Sequence, residues 1–149
     1  MMKNKKLGIY IHIPFCARKC NYCDFLSAPE TRETKERYLS LLDREMQLYT
    51  EIVSAREADT LFIGGGTPSF LERDLTDKLL CSVKKWIPSG NLKEFTIECN
   101  PNSVTEEKLN LYKEAGVTRI SLGMQSACDE ELKKLGRLHS VKEFEKTYE

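Results

Sequence analysis

The sequence has little with which to announce a charged partner. Lysine plus arginine and aspartate plus glutamate stand at 23 each over 149 residues, a formal net charge of zero. That balance gives no electrostatic argument for nucleic acid or an anionic membrane as a partner. No apolar run approaches the ~20 residues that a membrane-spanning helix needs. The basic start, Met1 to Lys6, leads into a short strand-like run holding His12 and Pro14. It lacks the apolar stretch and small-residue cleavage site of a signal peptide. Low-complexity segments and linkers are absent as well. These absences point to a globular chain with a cytoplasmic location as the default expectation, and with 31% charged and 40% hydrophobic residues it does not read as disordered.

Six cysteines are present, and in a reducing compartment a clustered set reads as metal-binding or catalytic before it reads as a disulfide framework. Cys16, Cys20 and Cys23 are clustered; Cys81, Cys99 and Cys128 are scattered and are expected to be packing residues.

Strand and helix signals alternate. Strands are predicted at Gly8 to Ile13, Thr60 to Ile63, Glu94 to Glu98 and Thr118 to Met124. Helices are predicted at Arg32 to Val53, Asp74 to Trp86, a stretch ending at Ala115 before Gly116, and Asp129 to Leu135, with a charged helical stretch at Val141 to Tyr148. In the first helix Leu39, Leu42, Met46, Tyr49 and Val53 form one apolar stripe. Ahead of the third, Ser103 and Glu106 are spaced as a capping box, with Thr105 as a competing cap. Strands separated by helices imply parallel pairing with right-handed crossovers.

Side chains alternate across a strand, and each predicted strand has one aliphatic face. Ile9, Ile11 and Ile13 oppose Tyr10 and His12; Leu61 and Ile63 oppose Phe62 and Gly64; Phe95 and Ile97 oppose Thr96 and Glu98; Ile120, Leu122 and Met124 oppose Ser121, Gly123 and Gln125. A doubly wound sheet buries both faces, so one mixed face fits an α/β barrel better. Glu98 and Gln125 fall at strand C-terminal ends, where barrel enzymes place their chemistry. Four βα units do not close a barrel, so residues 1–149 are expected to be the N-terminal part of a core domain, with the remaining units and any C-terminal domain lying outside them.

Cys16-x-x-x-Cys20-x-x-Cys23 puts three thiols on one loop. Soft thiolates suit zinc, copper(I) or an iron–sulfur cluster. Three ligands leave one iron of a cluster open to a small molecule; the competing reading is a zinc site with His12 or a distant residue as fourth ligand. Phe15, Tyr22 and Phe25 flank the cysteines as a cluster shield or as ordinary packing. Gly64-Gly65-Gly66-Thr67-Pro68 follows a strand and allows close approach of a ligand, with successive amides able to cradle an anion; it also suits a plain turn. Glu98 needs a cationic or hydrogen-bonding partner, which is a bound ligand or a structural salt bridge to Arg119 or Arg137.

Together these segments resemble the radical S-adenosylmethionine (SAM) superfamily. Within it the likeness narrows to the branch of the oxygen-independent coproporphyrinogen III dehydrogenases and their haem-chaperone relatives. It is carried by Tyr10 to Cys16, Phe62 to Ser69, Glu98 to Pro101, Arg119 to Ser126 and Leu135 to His139. The resemblance implies a [4Fe–4S] cluster on Cys16, Cys20 and Cys23, with SAM chelating the open iron and cleaved reductively. It also implies SAM contacts at Tyr10, Phe25, Gly65, Gly66, Thr67, Glu98, Gln125 and Arg137. The dehydrogenase pattern carries a further cysteine two residues after the third cluster cysteine, where this sequence has Phe25. Cys23-Asp24-Phe25 and Gly136-Arg137-Leu138-His139-Ser140 look like the haem-chaperone branch. The implied partners are haem or a porphyrin, a haem-accepting protein and an electron donor. Porphyrinogen decarboxylation is the alternative activity. His12 and His139 are the two histidines and are expected to be structural or polar site residues before haem ligands.

Overall fold

The computed structural model describes residues 6–56, 58–88, 90 and 92–149. Four strands, β1 (Leu7–Ile13), β2 (Ala58–Gly65), β3 (Glu94–Cys99) and β4 (Arg119–Leu122), form one sheet in the order β1-β2-β3-β4. Every neighbouring pair is parallel. The helices are α1 (Arg32–Ala55), α2 (Arg73–Trp86), α3 (Glu106–Glu114), α4 (Asp129–Leu135) and α5 (Val141–Tyr148), with single 3-10 turns at Pro68–Phe70 and Pro101–Ser103. The expected alternation of strand and helix is present.

The strand register aligns Ile11 with Ile63, Ile63 with Ile97, and Ile97 with Ile120. The first three are nearly inaccessible, whereas Ile120, on the edge strand, is 41% exposed. Leu39, Leu42 and Met46 of α1, Leu75, Leu79 and Val83 of α2, and Tyr112 and Ala115 of α3 join that row in one core. Burying each large apolar side chain contributes about 1.5–3 kcal/mol, and this layer packs the helices onto one face of the sheet.

Departures from the expected boundaries have local causes. β2 runs on through Gly64 and Gly65, which pair with His12 and Ile13 of β1. β4 stops at Leu122, short of the expected Met124, because the Gly123 amide makes a last bond to Cys99 O at 3.1 Å and Gln125 then takes a positive φ of 69°. Thr105 caps α3, accepting from the Lys108 amide at 3.3 Å, while the Ser103 hydroxyl is spent on Ser69 Oγ and Asn100 O. In α1 the apolar stripe is shorter than expected: Tyr49 is 53% exposed, and the buried side includes Lys35, which ion-pairs with Glu72 at 3.1 Å and lies over the Phe70 ring. Among the described residues no helix is long and apolar enough to cross a membrane.

Candidate functional site

The cysteine loop leaves β1 at its C-terminal end and is closed at its base. The Cys16 amide donates to Ala28 O at 3.1 Å and the Ala28 amide to Pro14 O at 3.0 Å, a parallel bridge between Phe15 and Ala28. Phe15 is core, packed edge-on against Tyr38, whose hydroxyl donates to His12 O at 2.6 Å. Tyr22 and Phe25 instead stay exposed at the mouth. The three flanking aromatics therefore divide into one packing residue and two rim residues.

The glycine run lies against this loop, and steric room explains it. A Cβ on Gly66 would sit 2.7 Å from Phe15 O and 2.9 Å from Cys16 Sγ; one on Gly65 would sit 2.6 Å from the His12 ring, at a φ of +114° that suits glycine. The amides are already committed. Gly65 N donates to Glu98 Oε2 at 2.9 Å, Gly66 N to Ile13 O at 2.9 Å and Thr67 N to Phe15 O at 2.8 Å. Three consecutive amides are thus withdrawn from the anion cradle considered above. Glu98 makes neither of the salt bridges considered for it. Its carboxylate takes the Gly65 amide, while Arg119 pairs with Glu94 at 3.1 Å and Arg137 bonds elsewhere.

One pocket gathers most of the residues singled out in the sequence. Cys16, Cys20 and Cys23 line it together with Phe25. Gly65, Gly66 and Thr67 line it from the end of β2, and Glu98, Gln125 and Arg137 from the β3 and β4 side. Thr67 Oγ1 lies 3.5 Å from Cys16 Sγ. Tyr10 is not among the lining residues. It is 57% exposed one residue pair further down the sheet, its hydroxyl 2.9 Å from His12 Nδ1. Partial burial, reinforced by the Glu98 charge, holds its phenol above the ordinary range.

Arg137 crosses the mouth. Its Nη2 donates to Asn100 Oδ1 at 2.8 Å and Gly123 O at 3.0 Å, its Nη1 lies 3.9 Å from Cys20 Sγ, and its buried Nε has no partner among the described residues. A buried unpaired guanidinium donor is costly without an acceptor, and the same side chain lines the pocket. Asn100 was passed over in the sequence except as part of a motif; its place directly after β3 and before Pro101 was the available signal.

The scattered cysteines do not share one role. Cys81 and Cys128 are exposed, against expectation, because they lie on the outer side of α2 and just before α4; only Cys99 is packed, at 6% exposure. Cys99 also lines the pocket, and burial pushes its thiol up to about 12, which keeps it protonated. Neither histidine is open. His12 engages Tyr10 and, through Nε2, Leu26 O at 2.9 Å; His139 is 3% exposed against Met124 O at 3.1 Å, its pKa lowered by burial. No three His, Cys, Asp or Glu side chains among the described residues are gathered as one metal ion would gather them. The zinc reading with His12 as fourth ligand therefore has no free ring nitrogen to draw on.

Residues 10–149 match the family model of the radical SAM superfamily. The chain belongs to the radical SAM superfamily. It is 40% identical over 141 residues to the heme chaperone HemW of Bacillus subtilis (strain 168), covering 94% of this chain and 37% of that protein. It is 41% identical over 144 residues to the heme chaperone HemW of Escherichia coli (strain K12), covering 96% of this chain and 38% of that protein. The chain thus spans little more than a third of the length of these relatives. Among solved structures, the radical SAM coproporphyrinogen III oxidase HemN of Escherichia coli superposes with a TM-score of 0.79 at 24% identity, over 91% of this chain and 32% of that one. That likeness bears out the barrel-type α/β fold.

Radical SAM membership implies a [4Fe–4S] cluster and SAM. The donor set fits both: three thiols on one loop suit a cluster with one open iron, and the Arg137 guanidinium on the same pocket wall suits an anionic group.

Proposed function

We propose that this chain is the cluster- and SAM-binding part of a haem chaperone. In this reading Cys16, Cys20 and Cys23 are the cluster ligands. Gly65, Gly66, Thr67, Glu98, Gln125 and Arg137 line the SAM seat, Phe25 shields it, and Tyr10 supports it from the adjoining sheet position. When bound and reduced, such a cluster supplies an electron to SAM at its open iron. The protein's own part is to hold three thiols on one rim, to offer Glu98 to cationic or hydroxyl groups of the ligand, and to offer the Arg137 guanidinium to its carboxylate.

The single observation that carries the reading is the meeting of three thiols, a carboxylate and a guanidinium around one pocket. Phe25 at the mouth, where the dehydrogenase pattern has cysteine, favours the chaperone over the oxidase, and so do the chaperone names of the relatives near 40% identity. The partners of this reading are haem, a haem-accepting protein and an electron donor for the cluster, in the cytoplasm.

The test is anaerobic reconstitution with iron and sulfide, followed by electron paramagnetic resonance of the reduced protein with and without SAM. A [4Fe–4S] signal that SAM perturbs and that Cys20→Ala abolishes is the expected outcome. Binding of haem to the reconstituted protein, read by its Soret band, without conversion of coproporphyrinogen III, separates chaperone from oxidase. A protein that takes only zinc would sink the reading.

A further inference from the structure

The tip of the cysteine loop is held from the far side of the pocket by the end of a helix. A helix leaves its last four carbonyls without intrahelical partners, and at the end of α4 residues lying between Cys16 and Cys23 bond three consecutive carbonyls. Lys134 O accepts from Asn21 Nδ2 at 2.8 Å, Leu135 O from the Asn21 amide at 3.1 Å, and Gly136 O from Arg18 Nε at 3.0 Å. The Arg18 cation also meets the negative end of the helix dipole, where positive charge is favoured. Gly136, with a φ of 77°, turns the chain so that the next residue, Arg137, reaches back to Cys20 Sγ. The contact is close: a Cβ on Gly136 would come within 3.3 Å of Arg18 Nη2 and of the Asn21 backbone nitrogen.

Arg18 and Asn21 are themselves exposed. Their described bonds lead only to the α4 terminus. The loop is therefore fixed near its base by the Phe15–Ala28 bridge and the His12–Leu26 bond, and at its tip by α4. Without the tip fixing, the stretch between Cys16 and Cys23 would keep only the Arg137 contact with Cys20 from the far side of the pocket.

We propose that the C-terminus of α4 is a latch for the cluster loop, and that Arg18 and Asn21 are positioning residues that hold Cys20 and Cys23 ready for the cluster. The proposal rests on the reading of the three cysteines as cluster ligands. It assigns to two residues inside the motif a role that the motif spacing does not reveal. It also makes the cluster loop and Arg137 one mechanical unit, because the turn that accepts the loop also delivers the guanidinium.

The test compares the wild-type chain, an Arg18→Ala/Asn21→Ala double variant and Arg18→Lys after anaerobic reconstitution. The readout is the rate at which cluster absorbance is lost to a ferrous chelator, together with thermal unfolding of the cluster-free forms. A hydrogen bond from a charged donor is among the stronger single bonds of a fold, so the double variant is expected to lose its cluster about tenfold faster. Arg18→Lys, which keeps a cationic donor, should stay near the wild-type rate; because the latch bonds are present without the cluster, the double variant should also lower the cluster-free midpoint, and Arg18→Lys should not. Hydrogen exchange of the cluster-free wild-type chain should show a protected Asn21 amide. A double variant that keeps the wild-type rate, an Asn21 amide that exchanges freely, or equally fast cluster loss in the core variant Ile97→Val, whose midpoint also falls, would each overturn the latch. A cluster that survives Cys20→Ala would instead overturn the ligand reading on which the latch depends.

Discussion

The two faces of the sheet come from the same four strands and follow different rules. On one, Ile11, Ile63 and Ile97 stand side by side under α1, α2 and α3, and almost none of their surface is open to water. On the other, Tyr10 pairs with Phe62 and His12 with Gly64, and the polar residues are joined by single bonds between named atoms: Tyr10 to His12, the Gly65 amide to Glu98. The first face is stabilised by area, which is tolerant of detail so long as volume is kept. The second is organised by room and by direction, where one methyl group or one charge changes what can bind while the fold stays in place. Thr96 marks the boundary, since it belongs to the mixed face and yet is fully buried over a bond to Glu94 at 2.7 Å.

The largest effect is expected on the helix-covered face. Phe95, 1% exposed and in the core cluster, sits beside Ile97 at the centre of the sheet. Phe95→Ala removes its ring and leaves a cavity, which costs about 3–5 kcal/mol. Urea unfolding of the cluster-free chain measures this directly as a lower midpoint. A change below about 1 kcal/mol would mean that this face is not packed as described, and the contrast between the faces would fail.

A smaller cost with a larger chemical consequence is expected at Gly66. An added methyl there meets Phe15 O and Cys16 Sγ at less than van der Waals distance, and the first of these belongs to backbone that closes the loop. Gly66→Ala is therefore expected to destabilise the chain by about 1–3 kcal/mol and to displace Cys16. Iron and sulfide content after reconstitution should fall with it. Stability lost with full cluster content would show that the glycine serves the fold and not the thiol loop.

The fold was largely legible in the sequence, because the aliphatic stripes of four strands and the cap at Gly116 obey periodic rules. Boundaries were less so where a bond from outside the element decides them: Gly123 closing on Cys99 O ends β4, and Ser103 lost the α3 cap because Ser69 and Asn100 engage it. Of the site, the three thiols and six further pocket-lining residues from Gly65 to Arg137 were named from the motifs together with Phe25, but their reasons were not all visible. The glycine run suggested an anion cradle, whereas its amides serve Glu98 and β1. Tyr10 entered as a SAM contact implied by the resemblance, and its strand position sets it below the residues that line the pocket. Arg18 and Asn21 were missed because their partners lie more than a hundred residues away, and no local spacing encodes a contact with a helix end.

The smallest change in stability, and the sharpest division between the faces, is expected at Glu98. In the fold its described task is to accept the Gly65 amide at 2.9 Å. Glu98→Gln keeps an oxygen that can accept the same bond while removing the negative charge. Urea unfolding of the cluster-free variant should therefore stay within about 0.5 kcal/mol of wild type. The cluster should also assemble normally, since the thiols do not depend on that charge. What should change is the response to SAM: the perturbation of the reduced resonance signal should need a higher SAM concentration, because the ligand's ammonium and hydroxyl groups lose a charged acceptor. A variant that unfolds earlier would make Glu98 a structural residue of the glycine turn. A variant with unchanged stability and unchanged SAM response would remove it from the ligand seat. Only the combination of intact fold, intact cluster and weakened response fits a face whose residues are arranged for a ligand.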